Sequence, residues 1–443
     1  MPADDHNTAQ TRLPGTWLKA IGPGILFAGA AIGVSHLVQS TKAGAVYGLG
    51  LVVFVLLAHA MKLPAMLFGP RYAAVTGTSL VQAYRRQGRH AIWTFALLTL
   101  GTMFIIQAAV TIVTAAIVKT VLVDPVLGVN APMWSVALGL LAICAALVAI
   151  GGFGWLDVAL KVLMVIMACS TLLAAGLETP RLDPDRLSLL PQIPDDEAAR
   201  FALIAAIVGL MGWMPAPLDI AVWHSLWTIC RRDQTGHNPS TRECGVDFGL
   251  GYALCVVLAI CFVMLGAGEL YLRGISPEKA GPAFAAQLID LYTGSMGAWV
   301  RPIISACAIA VMFSTTFTVL DALARTSYHI LLRLRSDEDP NATGAASANV
   351  LGYWIMMVVI AAGAMVIITR IKGPGFAWLI NLATTLSFLG TPILAWFNHR
   401  AMFAGDIPIA HRPGPVLRVW SWIGIFFWVA FSALYLWTLS QSR

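Results

Sequence analysis

"GWMPAPLD", Gly212 to Asp219, interrupts an apolar run near the middle of the chain. Proline lacks an amide hydrogen, and its ring clashes with the carbonyl four residues back. A helix entering this stretch therefore breaks between Met214 and Pro217. The 443 residues are 58% hydrophobic and 11% charged, with a mean hydropathy of +0.77. An ordinary soluble domain carries about twice that charged fraction. Long, nearly uncharged windows recur along the sequence, as membrane-crossing helices require. The net charge of +6 is read as a topology signal rather than as affinity for nucleic acid. The seven cysteines form no CxxC pair and are read as packing residues. Residues 1–20, "MPADDHNTAQTRLPGTWLKA", lack the apolar core of a cleavable signal peptide. No nucleophile elbow, HExxH, P-loop or paired-carboxylate cleft occurs, so no enzyme and no cofactor is expected.

About eleven spans are predicted, centred near Ala30, Leu57, Ile106, Leu141, Val165, Ile207, Val257, Val311, Val359, Leu386 and Phe427. A second interruption lies in the first of them, where "GVSH", Gly33 to His36, sits inside an otherwise apolar helix. Span one opens one group of five and span six the next. Broken helices at corresponding positions of two five-helix units predict an inverted-repeat transporter, with its site where the breaks meet. The division that follows is a tail over 1–19, repeats over 20–178 and 201–398 joined by a loop over 179–200, and a loop with a last span over 399–443. Arg71, Arg85, Arg86 and Arg89, with later clusters up to Arg418, place the N-terminus in the cytoplasm of a cell (inner) membrane and the C-terminus outside. "RSDEDPNATGAASAN", 335–349, reads as a polar cytoplasmic linker.

Polar residues inside the spans mark candidate function. Ser35 and His36 at the first break are candidate substrate contacts, since unwound backbone at that depth belongs beside a cavity. Asp219 follows the second break, with Trp223 and Trp227 at i+4 and i+8 and Trp213 just before it. Such a group could hold an organic cation, or Asp219 could simply offset the positive end of the new half-helix. Ser314, Thr318 and Asp321 share one face of span eight and could line an ion path. Alternatively the hydroxyls bond back to their own helix and Asp321 pairs with Arg325. Asp157 and Lys161 are read as an intrahelical pair. Lys62 has no partner on its own helix. It snorkels, pairs with Asp219 or Asp321, or supplies a fixed charge in place of a coupling cation.

"GPGILFAGAAIGVSHLVQSTKAGAVYG" (22–48) resembles the first span of the Nramp divalent-metal transporters. "RYAAVTGTSLVQAYRR" (71–86), "GGFGWLD" (151–157), "GWMPAP" (212–217) and "STTFTVLDAL" (314–323) resemble later segments of that family in the same order. The resemblance runs from about Gly22 to Pro392. It implies an all-α polytopic membrane protein with the LeuT-like 5+5 inverted repeat and broken spans one and six. It also implies a substrate site at Gly33, Ser35, His36, Trp213, Met214 and Asp219.

The family's metal-binding Asp-Pro-Gly-Asn is here Gly33, Val34, Ser35 and His36, and the His-Asn after its methionine and proline is Ala216 and Pro217. Its two acids on span three are missing from "IIQAAVTIVTAAIV" (105–118), which offers Gln107, Ala108 and Thr111. A divalent ion at mid-membrane needs an anionic donor. The expected activity is therefore alternating-access transport of a small organic solute, cationic solutes included, rather than of Mn²⁺ or Fe²⁺. Lys62, Gln107, Ser314, Thr318 and Asp321 are the coupling candidates. One alternative is a transition-metal transporter with a rebuilt site of His36, Met214 and Asp219. Another is a sensor or scaffold that does not transport. The expected partners are a small solute or ion and the lipid bilayer, with no nucleic acid, and a monomer is compatible with this reading.

Overall fold

The computed structural model describes residues 20–150, 154–182, 188–335, 350–371, 375–405 and 407–441. The tail 1–19, the turn 151–153, the Asp157 side chain and the linker 336–349 lie outside the described residues. All regular structure among the described residues is helical.

The first span is a bent pair, Pro23–Ala31 and Ser35–Tyr47, whose halves differ in direction by 41°. Span two is Val52–Thr76, and the short helix Leu80–Arg86 leads into span three, Arg89–Val118. Spans four and five are Met133–Ile150 and Gly154–Glu178. Span six is again divided, into Glu197–Trp213 and Ile220–Thr235. Span seven is Thr241–Gly266, and helix Gly281–Met296 precedes span eight, Arg301–Arg335. Spans nine to eleven are Val350–Arg370, Gly375–Phe403 and Pro415–Gln441.

Among the described residues, nine helices are long and apolar enough to cross a membrane, or ten spans with the bent pair counted as one. The remaining span of the sequence-based count is the sixth. Its break divides the apolar run into halves of 17 and 16 residues, and the second half ends in Arg231, Arg232 and Asp233. Neither half is a spanning helix by itself.

The helix contacts come in matched sets, as an inverted repeat requires. The second half of span six packs along span two, as the first half of span one packs along span seven. Span three crosses span eight; spans three and four pair as eight and nine do. Span ten lies against two and three, where its counterpart five lies against seven and eight. Two of these interfaces bring backbones together. A Cβ on Gly69 would lie 2.1 Å from the Ala221 carbonyl oxygen, and one on Gly251 2.3 Å from that of Gly24. Lipid tails give no hydrophobic drive between helices, so close small-residue contacts are a main source of cohesion. The outward faces carry exposed Leu97, Leu138, Leu173, Val358 and Phe426, as a lipid-facing surface should.

Candidate substrate site

A broken helix leaves carbonyls without intrahelical partners, and each buried one left unpaired costs stability. In span six the partner is Lys62 from span two, which is fully buried. Its Nζ donates to the carbonyls of Met211 (2.9 Å), Gly212 (2.7 Å) and Ala216 (3.0 Å). These three bonds use every proton of the ammonium. The Trp428 ring lies 5.3 Å from the same nitrogen. Asp219 is half-buried at the start of the second half-helix and interacts electrostatically with Lys62 and the Tyr84 phenol. The Met214–Pro215 peptide within this break is cis.

The break in span one is satisfied by side chains of spans one and eight. Ser35 Oγ donates to the Ala31 carbonyl. The His36 ring, fully buried, has Nδ1 2.7 Å from Ser35 Oγ and 3.1 Å from the Ala31 carbonyl. Its Nε2 donates to the Cys255 carbonyl at 2.9 Å. The Thr315 hydroxyl of span eight lies 2.9 Å from the Gly29 carbonyl and 3.0 Å from its own Val311 carbonyl. The two breaks are thereby held by different chemistry, an ammonium in span six and neutral hydrogen bonds in span one.

Between the breaks lies a cavity of about 20 Å³, room for roughly one water. Ala31, Val34 and Ser35 of span one face it, with Ile106 and Val110 of span three, Trp213, Ala216 and Trp223 of span six, and Thr315 and Val319 of span eight. No charged side chain is among its lining residues. The Trp213 indole N–H donates to Ser387 Oγ of span ten at 2.9 Å. The Trp223 indole is buried, and its N–H has no hydrogen-bond partner.

Of the residues singled out in the sequence, Ser35, Trp213 and Trp223 line this cavity. Gly33 marks the break but has no free space beside it. A Cβ there would lie 2.7 Å from both Cγ2 and Oγ1 of Thr315. His36 is not itself a lining residue, its Nδ1 lying against Ser35 and Ala31 and its Nε2 against Cys255 of span seven, and Met214 is fully buried with Met211 and Phe388. Asp219 falls on the Lys62 side rather than in the lining. Hence His36, Met214 and Asp219 do not meet at one cavity. Among the described residues no three His, Cys, Asp or Glu side chains are arranged to hold a metal ion. The aromatic group is likewise divided: Trp223 faces the cavity, and Trp227 packs edge-on against it at 6.4 Å without lining the space.

The coupling candidates also separate. Asp321 accepts from Arg325 Nε at 2.8 Å and from the Tyr353 hydroxyl at 2.6 Å, which is the intrahelical pairing rather than an open path. Thr318 donates to the Ser314 carbonyl at 2.7 Å. Gln107 donates to Thr111 Oγ1 at 3.1 Å, while its Oε1 is buried without a partner. Thr315 of span eight hydrogen-bonds to span one, and the sequence reading missed it. It adjoins Ser314, but one helical residue turns a side chain by about 100°, onto a different face.

A chain with two broken helices facing each other across a small cavity, built from two inverted five-helix units, is a membrane transporter. The profile of the family described as natural resistance-associated macrophage protein-like (Nramp) matches residues 24–438. The chain belongs to that family. An uncharacterised protein of Pasteurella multocida (strain Pm70) is 30% identical over 430 residues, covering 95% of this chain and 93% of the other. The manganese transporter of Eremococcus coleocola superposes with a TM-score of 0.65 at 12% identity, over 98% of this chain and 88% of that one. MhsT in complex with L-phenylalanine superposes with a TM-score of 0.57 at 16% identity, over 94% and 98%. The likeness to these transporters gives the LeuT-type fold expected from the sequence.

Two outcomes follow from this geometry. Lys62→Met leaves three buried carbonyls without a donor. A loss of about 3 kcal/mol or more of stability is expected, read as a lowered thermal midpoint in detergent. Gly33→Asp puts a carboxylate at the first break but meets Thr315. No Mn²⁺ binding should appear by calorimetry with this single change.

Proposed function

We propose that this Nramp-family transporter works by alternating access on a small organic solute, bound between the breaks of spans one and six, rather than on Mn²⁺ or Fe²⁺. The observation that carries this reading is the lining of the cavity. It is largely apolar, bears no charge, and includes Trp223, whose buried indole N–H has no hydrogen-bond partner among the described residues. Such a site suits a solute with an apolar body and a hydrogen-bond acceptor. A cationic solute has less support than the sequence suggested, because Asp219 is not among the cavity's lining residues. The favoured solute is neutral, or carries balanced internal charge.

The cavity has room for about one water, so loading a solute requires the spans to part, which alternating access provides. Lys62 places at the span-six break the positive charge that a bound coupling ion contributes at comparable breaks in other transporters. We infer that this part of the cycle needs no sodium or proton. The arginine-rich loops support an N-terminus in the cytoplasm and a C-terminus on the opposite side.

Thermal-shift screening of the purified protein tests the reading. An organic solute should raise the thermal midpoint, and Trp223→Phe should weaken its apparent affinity by up to about tenfold, the worth of one net hydrogen bond. Mn²⁺, Fe²⁺ and Zn²⁺ should produce no shift. A metal-induced shift removed by His36→Ala or Met214→Ala would favour the rebuilt metal site. Silence towards every ligand, in flux as well as binding, would favour a sensor or scaffold.

A further inference from the structure

A second cavity, of about 570 Å³, lies at the arginine-rich end of the molecule. It shares no lining residue with the site between the breaks. Its walls are the end of span two, the short helix Leu80–Arg86, the last turns of span ten and the start of span eleven. Arg86, His399 and Arg400 supply its polar side, and no carboxylate is among its described lining residues.

The wall is fixed in place. Arg86 donates to the Tyr72 hydroxyl at 2.9 Å, and His399 Nδ1 lies 2.7 Å from Ser421 Oγ. The Arg400 guanidinium stands 6.0 Å from the Trp396 ring centroid and is exposed. It has no hydrogen bond or ion pair among the described residues. Arg418 adds a further cation nearby, over the Phe403 ring at 5.3 Å.

Beside these cations the wall is aromatic and continues along span eleven towards the membrane face. Trp396 and Trp422 have ring centroids 5.3 Å apart, and Trp422 stacks on Phe426 at 5.6 Å. Phe426 is 64% exposed and continues the apolar row of Val419 and Ile423 along span eleven. A soluble anion would use only the arginines. An amphiphile would use both walls.

We propose that this cavity binds one phospholipid with an anionic headgroup. Its phosphate sits with Arg86 and Arg400, and its acyl chains lie over Trp422 and along Ile423 and Phe426. Guanidinium groups match phosphate oxygens in pairs, and basic pockets between spans are where anionic headgroups bind. The inference rests on the chain being a membrane protein and is independent of what it transports.

The test uses the full chain in detergent, with phosphatidylglycerol as the probe and phosphatidylcholine as the control. Native mass spectrometry should show one retained phosphatidylglycerol per chain and little phosphatidylcholine. Arg400→Gln should reduce that adduct at least tenfold, and Arg86→Gln/Arg400→Gln should abolish it. Phosphatidylglycerol with brominated acyl chains should quench tryptophan fluorescence, with a clear loss of quenching in Trp422→Phe. Arg400 is exposed and makes no hydrogen bond or ion pair among the described residues, so its variant is expected to fold even if the double variant does not. Equal retention of the two lipids, or an adduct unchanged in Arg400→Gln, would overturn the proposal. Competition by millimolar inorganic phosphate as effective as by the lipid would show a soluble-anion site and overturn it equally.

Discussion

The Lys62 ammonium on the carbonyls of Met211, Gly212 and Ala216 is the contact on which the rest of the site depends. Burying a charge in a membrane protein is costly unless every proton finds an acceptor. A broken helix offers acceptors that nothing else can satisfy. Each solves the other's problem, and neither would be stable alone. With the break so held, Trp213 and Ala216 on one side of it and Trp223 on the other can face the same small space. Asp219, the acid nearest this break in sequence, interacts with that ammonium and does not line the cavity.

The break in span one shows the complementary constraint. Thr315 reaches the Gly29 carbonyl and occupies the volume beside Gly33. The first break is thus closed by a filled space and by a hydrogen bond between spans one and eight. His36 Nε2 donates to the Cys255 carbonyl, which ties span one to span seven. Packing and hydrogen bonds, with no charged side chain in the lining, surround the cavity.

Much of the fold was legible because it follows from local rules. Pro64, Pro70 and Pro392 are carried within continuous helices, but Pro215 and Pro217, two residues apart, break theirs, and the long uncharged runs read as spans. Both breaks fall in the first helix of a five-helix group, which indicated the inverted repeat. The site was less legible, because which polar groups meet depends on helix rotation and on contacts between distant spans. Lys62 was recognisable as needing a partner, but carbonyls freed by a break over a hundred residues away leave no mark in composition. Thr315 was hidden in a run of hydroxyl residues whose faces differ by one position. His36 and Asp219 looked like ligands in sequence because both flank breaks, yet neither is among the cavity's lining residues.

The central claim is that the site has exchanged metal chemistry for solute chemistry. Its most direct test is metal uptake by proteoliposomes containing the unaltered protein and a manganese-sensitive dye. The account predicts that external Mn²⁺ changes the dye signal no faster than in protein-free liposomes, with or without a proton gradient. A saturable, protein-dependent Mn²⁺ signal would contradict it.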